Sequence, residues 1–364
     1  MFKIKKTTFF LLITFLPACT YSTTTWQDLQ DLAVAINKNE PTETIKKMLD
    51  HAGDINAQKP ETGCTLLYIA AYKGNLEITT ELITRGAKIN TDVQDKSGQT
   101  PLMAAIIAGN DAVAKLLLNH GANVNPKEPI IGCSPLHLAA YKGNLELIEL
   151  LLSKGAKINT PDKLFGQSPL HHAVGGTKTQ IIDESIKTIT VLLTHGANIE
   201  AQDNVVGLTP LHMAAVAGLH TVVKLLSDYG AHIETKDIFG RTPLISAASL
   251  GHLETVKTLI QLGANINTQC NSGRTALHQA ILNNHQDVVK MLISCKSNIN
   301  TKDKNGMTPL HIAAAFGYEE IARELLAGNA LTSLKDNQGD TPLDYAIKYK
   351  RDGLQKILSS TKIQ

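Results

Sequence analysis

Short apolar stretches separated by glycines recur along most of the chain, and one of them shows what each stretch encodes. A Thr or Ser followed by Pro-Leu suits the start of a helix, because the hydroxyl caps the helix and proline fits its first turn. Gly143 and Asn144 predict a tight turn, and the apolar residues of 147–152 predict a second helix. Gly155 ends that helix at a position where positive φ costs little. The polar segment 158–166 is predicted to be an extended connector with a hairpin.

The same arrangement recurs at a nearly constant interval. The string Gly-x-Thr/Ser-Pro-Leu-His-x-Ala-Ala is clearest at 132–140, 207–215 and 306–314, and the string Leu-Leu-x-x-Gly-Ala-x-Ile-Asn follows in most copies. The Thr or Ser of copies one to nine lies at 65, 100, 134, 168, 209, 242, 275, 308 and 341. The intervals are 33 to 35 residues, apart from 41 after position 168. A unit of this size cannot bury both of its helix faces alone, so the units are predicted to stack.

These strings resemble the ankyrin repeat, with its Thr-Pro-Leu-His opening and its Gly-Ala-x-x-Asn exit, and the resemblance covers 26–364. It implies an all-α fold with short β-hairpin connectors, a solenoid of about ten helix-turn-helix units. Within that domain, 26–58 is expected to form an N-terminal cap, 59–338 the internal repeats, and 339–364 the C-terminal repeat or cap. The resemblance also implies a protein partner bound on the concave face.

Three departures from the pattern carry information. The long interval places about seven extra residues in 175–184, between the two helices of copy four. Lys296 and Asn329 replace the glycine that ends the second helix in copies seven and eight. Asn tolerates positive φ better than Lys, so the junction at Lys296 is expected to be strained or differently shaped.

The N-terminus has the features of an export signal. Three lysines precede a short apolar run, and residues 16–19 read Leu-Pro-Ala-Cys, which resembles a bacterial lipobox. We therefore expect 1–18 to be a lipoprotein-type signal peptide, Cys19 to carry a lipid anchor to a membrane, and 19–25 to form a polar tether. The expected location is the periplasm or the outer membrane. The alternative left open is an ordinary secretion signal and a secreted protein.

Charge argues against a nucleic-acid partner. The 35 basic and 33 acidic residues give a net charge of +2, but 1–18 holds three lysines and no acid, so the remainder is close to neutral. Hydrophobic residues make up 43% of the chain and aromatic residues 4%, which predicts a core of Leu, Ile, Val and Ala.

Their positions in the repeat predict structural roles for most of the 13 histidines. Five share one repeat position, where the resemblance implies a local hydrogen bond that braces the turn and hairpin: His137, His171, His212, His278 and His311. His120 and His195 precede helix-ending glycines, where positive charge suits the helix end. His172 points about 100° away from its neighbour His171 on a helix, so the two make a poor chelate.

The cysteines other than Cys19 are Cys64, Cys133, Cys270 and Cys295. They form no Cys-x-x-Cys, and their spacing from histidines does not resemble that of a zinc site. The sequence also lacks a phosphate loop, a nucleophile elbow and paired carboxylates in a cleft-like segment. We therefore predict no cofactor, no metal site and no enzyme, although a hydrolase or metal enzyme remains the alternative from another class.

The resemblance places partner contacts around the first glycine of each string and in the two residues after Ala-Ala. Six of the eleven aromatic residues after position 25 fall at these positions, more than chance predicts. The predicted contact residues are Tyr72, Ile130, Ile131, Tyr141, Lys142, Phe165, Val205, Val206, Ile238, Phe239, Arg241 and Phe316. The competing interpretation is that these side chains pack along the helices and hairpins instead.

The sequence thus predicts a non-enzymatic scaffold, expected to be a monomer, with its main docking site between positions 130 and 239. A second account keeps the repeat domain but makes the protein a secreted effector of a host-associated bacterium that binds a host protein.

Overall fold

The computed structural model describes residues 27–90, 98–128, 130–177 and 182–360. The predicted signal peptide, Cys19 and the predicted tether lie outside these residues. The chain divides into two compact units, 1–128 and 129–364. Twenty helices and no β-strands are found in the described residues.

The helices follow one another in pairs. In the first unit they are α1 (Gln27–Asn37), α2 (Thr42–Asp50), α3 (Leu66–Lys73), α4 (Leu76–Thr84), α5 (Pro101–Ala108) and α6 (Asp111–Asn119). In the second unit they are α7 (Pro135–Lys142), α8 (Leu145–Ser153), α9 (Pro169–Gly176), α10 (Ile182–Thr194), α11 (Pro210–Ala217), α12 (His220–Asp228), α13 (Pro243–Ser249), α14 (Leu253–Gln261), α15 (Ala276–Leu282), α16 (Gln286–Ser294), α17 (Pro309–Phe316), α18 (Glu319–Ala327), α19 (Pro342–Lys348) and α20 (Asp352–Ser360).

The helix pairs of each unit are stacked in two layers. The first helices of successive copies pack on one another, as α11 does on α13, and the second helices do the same, as α12 does on α14. In copies one, three, five, six and eight the Leu and both Ala residues of the string are buried, so the small alanines allow the first helices to approach closely. Each helix pair therefore depends on its neighbours for its core, as expected for a repeat.

In five copies the Thr or Ser and the His of the string cap the first helix and tie it to the next copy. In copy five, the Thr209 hydroxyl accepts a hydrogen bond from the His212 amide, and the Thr209 amide donates to His212 Nδ1. His212 Nε2 lies 3.0 Å from the carbonyl oxygen of Arg241, at the start of the next copy. Since Nδ1 accepts, the ring proton lies on Nε2 and is donated to that carbonyl.

The same brace occurs at the other four histidines of this position: His137, His171, His278 and His311. The predicted structural role of these five histidines is therefore confirmed. Burial lowers the pKa of His171, His212, His278 and His311, and that of His278 falls to about 4.

His120 and His195 also have structural partners, because each ring places Nδ1 within 3 Å of a carbonyl oxygen in the last turn of its helix.

Where the structure describes them, the connectors between copies are turns without β-strands. In copy six the Asp237 amide donates to the carbonyl oxygen of Arg241, and the Asp237 carboxylate accepts from the amides of Phe239 and Arg241. Two backbone hydrogen bonds close this turn, from Asp237 to Arg241 and from Gly240 to Asp237, which are too few to form a strand ladder. The side-chain carboxylate stabilises the turn that a hairpin was expected to form.

Lys296 and Asn329 adopt the same backbone conformation as the glycines at the equivalent position of other copies, although each carries a side chain. Both adopt positive φ, 61° and 67°, at the position where Gly155 has a φ of 87°. The junction at Lys296 therefore keeps the shape that it has in other copies. Its positive φ is unfavourable for a residue with a β-carbon, which is the strain that the sequence predicts there.

The insertion of copy four mostly lengthens a helix. α10 has 13 residues where α8 has nine, and residues 178–181 of the inserted segment lie outside the described part of the chain.

Among the described helices, none combines the length and apolar character that a bilayer-spanning helix requires.

Candidate partner-binding surface

The tips of the connectors form a continuous series in the second unit. A loop tip is defined as the two residues before the first glycine of a string: 130–131, 164–165, 205–206, 238–239, 271–272, 304–305 and 337–338. The carbonyl oxygen of the second tip residue accepts a backbone hydrogen bond from the next connector. Ile131 accepts from Lys163, Phe165 from Asn204, Val206 from Ile238, Phe239 from Asn271, Ser272 from Lys304, and Asn305 from Asn337, all at 2.7–3.0 Å.

The chemistry of the loop tips changes along this series. The four tips of copies three to six consist of Ile, Leu, Phe and Val, whereas the three tips of copies seven to nine consist of Asn, Ser, Lys and Gln. Turn tips facing water favour the second kind of residue. The first four are called the apolar tips below. Their first residues are half exposed, with exposed fractions of 50% for Ile130, 53% for Leu164, 54% for Val205 and 59% for Ile238.

The predicted contact residues fall into two environments. Ile130, Lys142, Val205, Ile238, Phe239 and Phe316 are exposed, whereas Ile131, Tyr141, Phe165, Val206 and Arg241 are partly buried. The structure brings the predicted Ile, Val and Phe residues of 130–239 together on consecutive linked tips. Tyr141, Lys142 and Phe316 lie instead at the ends of α7 and α17. Tyr72 is exposed in the first unit, at the end of α3.

Leu164 belongs to the same surface but was not among the predicted contact residues. It precedes Phe165 in the tip of copy four and has the position that Ile130, Val205 and Ile238 have in theirs. The sequence signal that finds it is its offset from the glycine, which is the same in each of these copies.

Charge is adjacent to the aromatic ring of the last apolar tip. The Arg241 guanidinium lies 4.9 Å from the centroid of the Phe239 ring, and Arg241 Nε lies 2.7 Å from Asp237 Oδ2. The carboxylate of Asp237 thereby fixes the arginine against one face of the ring. Phe239 as a whole residue is 49% exposed, so a partner can cover the part of the ring that Arg241 leaves open.

A second cluster lies behind the apolar tips of copies three and four. Asp162 Oδ2 is 3.0 Å from His172 Nε2, and the Cys133 thiol completes a group whose ligand atoms all lie within 4.8 Å of one another. All three residues are buried. Sequence reasoning missed this cluster because the three residues are separated by 29 and 10 positions, which match no metal-binding motif.

The comparisons with known proteins agree with this architecture. The chain matches the family described as "Ankyrin repeats (3 copies)" over residues 32–128, 136–237, 233–303 and 292–364. It is 36% identical over 101 residues to delta-latroinsectotoxin-Lt1a of Latrodectus tredecimguttatus, which covers 28% of this chain and 8% of that protein. It is 33% identical over 93 residues to human Rabankyrin-5, which covers 26% and 8%.

A third relative is the neurogenic locus Notch protein of Drosophila melanogaster, 33% identical over 92 residues, or 25% of this chain and 3% of that protein. The alignment spans less than a tenth of the length of each of these relatives, so the likeness is confined to a small part of each. The capped helix pairs, the histidine brace and a family match along most of the chain have one explanation, which is that this protein belongs to the ankyrin repeat family.

Proposed function

We propose that this protein is a scaffold that binds a partner protein through the apolar tips of copies three to six. Ankyrin repeats are protein-interaction modules, and the observation that carries this proposal is the run of four consecutive apolar tips linked by backbone hydrogen bonds. The partner surface would be apolar at its centre, with an acidic or polar group near Arg241.

The backbone geometry of the connectors does not explain why these four tips are apolar. The neighbouring copies seven to nine have the same backbone links with polar tips, so the turns do not need apolar residues for their geometry. An exposed row of Ile, Leu, Val and Phe has an unfavourable free energy in water, and such patches are typical of interaction sites.

The test converts one apolar tip into the sequence of its neighbour. Ile238→Asn with Phe239→Ser gives copy six the tip of copy seven, Asn271–Ser272, which the same fold already contains. Removing two exposed apolar side chains from an interface costs roughly 2 kcal/mol, or about 30-fold in affinity. We expect affinity capture with the double variant to lose the partner that the unsubstituted chain retains.

Leu331→Ser is the matched control, because Leu331 is 50% exposed but lies on the connector between α18 and α19, away from the apolar tips. Capture should persist with this variant, and the melting temperature of both variants should stay near that of the parent. Equal capture by the double variant and the parent would contradict the proposal.

We also propose that the domain is tethered to a membrane through lipid on Cys19, as the Leu-Pro-Ala-Cys sequence indicates. Incorporation of radiolabelled palmitate that disappears in Cys19→Ala would support the tether. Recovery of the chain from host cytosol would instead favour the effector account, in which the same apolar tips bind a host protein. Neither version assigns catalysis to the chain.

A further inference from the structure

In copies eight and nine, side chains from two different repeat positions reach the connector aspartate. One is the residue that precedes the Thr or Ser of the previous copy, as shown by Arg274, whose Nε lies 3.1 Å from Asp303 Oδ2. The other is the fourth residue of the first helix of the same copy, as shown by Tyr345, whose hydroxyl lies 2.8 Å from Asp336 Oδ2. Each position thus reaches the Oδ2 atom of the connector aspartate in its own copy, so a copy with suitable residues at both positions would bring them to one carboxylate.

In copy four the same two positions carry metal-ligand chemistry. Cys133 precedes Ser134 of copy three as Arg274 precedes Thr275 of copy seven, and His172 has the position of Tyr345. Both meet at the carboxylate of Asp162, whose side chain is fully buried. Copy four thus combines a thiol, an imidazole and a carboxylate where an arginine contacts the aspartate of copy eight and a tyrosine contacts that of copy nine.

We propose that Cys133, Asp162 and His172 form a zinc-binding site. Zn²⁺ binds Cys sulfur at about 2.3 Å and His nitrogen and carboxylate oxygen at about 2.0–2.2 Å, so tetrahedral ligand atoms lie roughly 3.3–3.7 Å apart. The present ligand atoms, all within 4.8 Å of one another, need only small adjustments to reach that spacing. On binding, the Cys133 thiol releases its proton to solvent and the proton on His172 Nε2 passes to Nδ1, so thiolate, neutral imidazole and carboxylate bind Zn²⁺ and water supplies the fourth ligand.

The surroundings hold two of the ligands in place. The amide of Phe165 donates to Asp162 Oδ1 at 2.7 Å, which orients the carboxylate and leaves Oδ2 towards the cluster. The ring of His137 packs edge-on against His172, with ring centroids 5.0 Å apart. Such outer contacts fix the orientation of metal ligands and stabilise the bound ion.

Zinc bound there would crosslink copies three and four beneath the apolar tips. Cys133 is fixed to the connector that holds Ile131, and Asp162 to the connector that holds Phe165. Binding to the folded chain alone stabilises it in proportion to the logarithm of the zinc concentration over its Kd. The site would therefore make the geometry of this docking region dependent on zinc.

The experiment is a Co²⁺ titration of the purified full chain under a thiol-free reductant. A thiolate ligand produces a near-ultraviolet charge-transfer band, and we expect one that saturates at one equivalent and is displaced by Zn²⁺. Cys133→Ser and His172→Tyr should each weaken Co²⁺ binding by roughly 100-fold or more, since loss of a ligand exceeds the cost of losing an outer contact. The His172→Tyr variant carries the residue that copy nine has at this position, which keeps a partner for Asp162.

Cys64→Ser is the matched control, because Cys64 is a buried cysteine at the same repeat position as Cys133 in copy one. It should retain the band. A parent chain without the band, a band that survives Cys133→Ser, or one that is lost in Cys64→Ser would each overturn the proposal. Circular dichroism of every variant verifies that the helices are intact.

Discussion

His172 Nε2 lies 3.0 Å from Asp162 Oδ2, and the two side chains are 3% and 0% exposed. Burial by itself raises the pKa of a carboxyl group, but the hydrogen bonds from His172 and from the Phe165 amide outweigh it, so the pKa of Asp162 is below its ordinary value. Asp162 is therefore ionised in the interior and depends on its partners. The corresponding carboxylate of copy nine depends on Tyr345 in the same way.

Removing the histidine should leave a buried charge without its partner. We expect His172→Ala to lower the free energy of unfolding by about 3 kcal/mol, the usual cost of breaking a buried pair. His172→Tyr should lose less than half of that, since Tyr345 shows that a tyrosine hydroxyl reaches the aspartate from this position. Urea unfolding of both variants in the presence of a chelator measures the difference, and equal losses would contradict the role given to the hydrogen bond.

Acid should weaken the repeat stack through the brace histidines. The pKa of His278 falls from 6.5 to about 4 on folding because the ring is buried, so the unfolded chain binds the proton more tightly. Stability is then fully present above pH 6.5 and is lost as the pH falls towards 4, by on the order of 3 kcal/mol for this group.

Nuclear magnetic resonance titration of the histidine rings measures this directly. The signal of His278 should titrate far below 6.5, the ordinary value for a histidine. A His278 ring that titrates near 6.5 in the folded chain would contradict the prediction, and the melting temperature should fall over the same pH range in which the unfolded histidines gain protons.

The end of α9 should not tolerate a β-carbon at Gly176. A methyl group built there would overlap the carbonyl oxygen of Tyr141 on α7, a backbone atom that cannot move independently. Gly176→Ala should therefore destabilise the protein by about 1–3 kcal/mol, as overpacking does. At Gly175 the nearest atom is the Met213 methyl at 3.7 Å, an ordinary contact, so Gly175→Ala serves as the tolerated control in the same thermal melts.

The junction after α16 should gain stability from glycine. Lys296 has a φ of 61°, which is costly for a residue with a β-carbon. We expect Lys296→Gly to stabilise the protein by about 0.5–1 kcal/mol after the entropy of the unfolded glycine is subtracted. Asn329→Gly should gain less, because Asn tolerates this region better, and denaturant midpoints of the two variants would show whether that order holds.

The helix pairs, their caps and the brace histidines could be predicted because each depends on residues close together in the chain. Thr209 and His212 lie three positions apart, and a single turn of helix brings them into contact. The absence of strands in the connectors could not be predicted in this way. Whether a turn extends into a strand ladder depends on backbone pairing beyond the turn, and here the Asp237 carboxylate accepts hydrogen bonds from two amides of the turn itself.

The candidate surface was predictable in part for the same reason. Ile238 and Phe239 were found from their offset to a glycine, but their exposure and their linkage to Val206 and Asn271 were not. The exposure and the linkage of each tip depend on how the connectors of successive copies pack against one another.

The amino-acid sequence alone determined the repeat, its register and the polarity of each loop tip, because these follow from periodicity and from local capping chemistry. Only the tertiary structure decided that Cys133, Asp162 and His172 meet. They come from two copies and two kinds of element, and the packing of one copy on the next brings their side chains to the same buried point. No metal-binding motif along the chain encodes that meeting, because it depends on the packing of copy four on copy three.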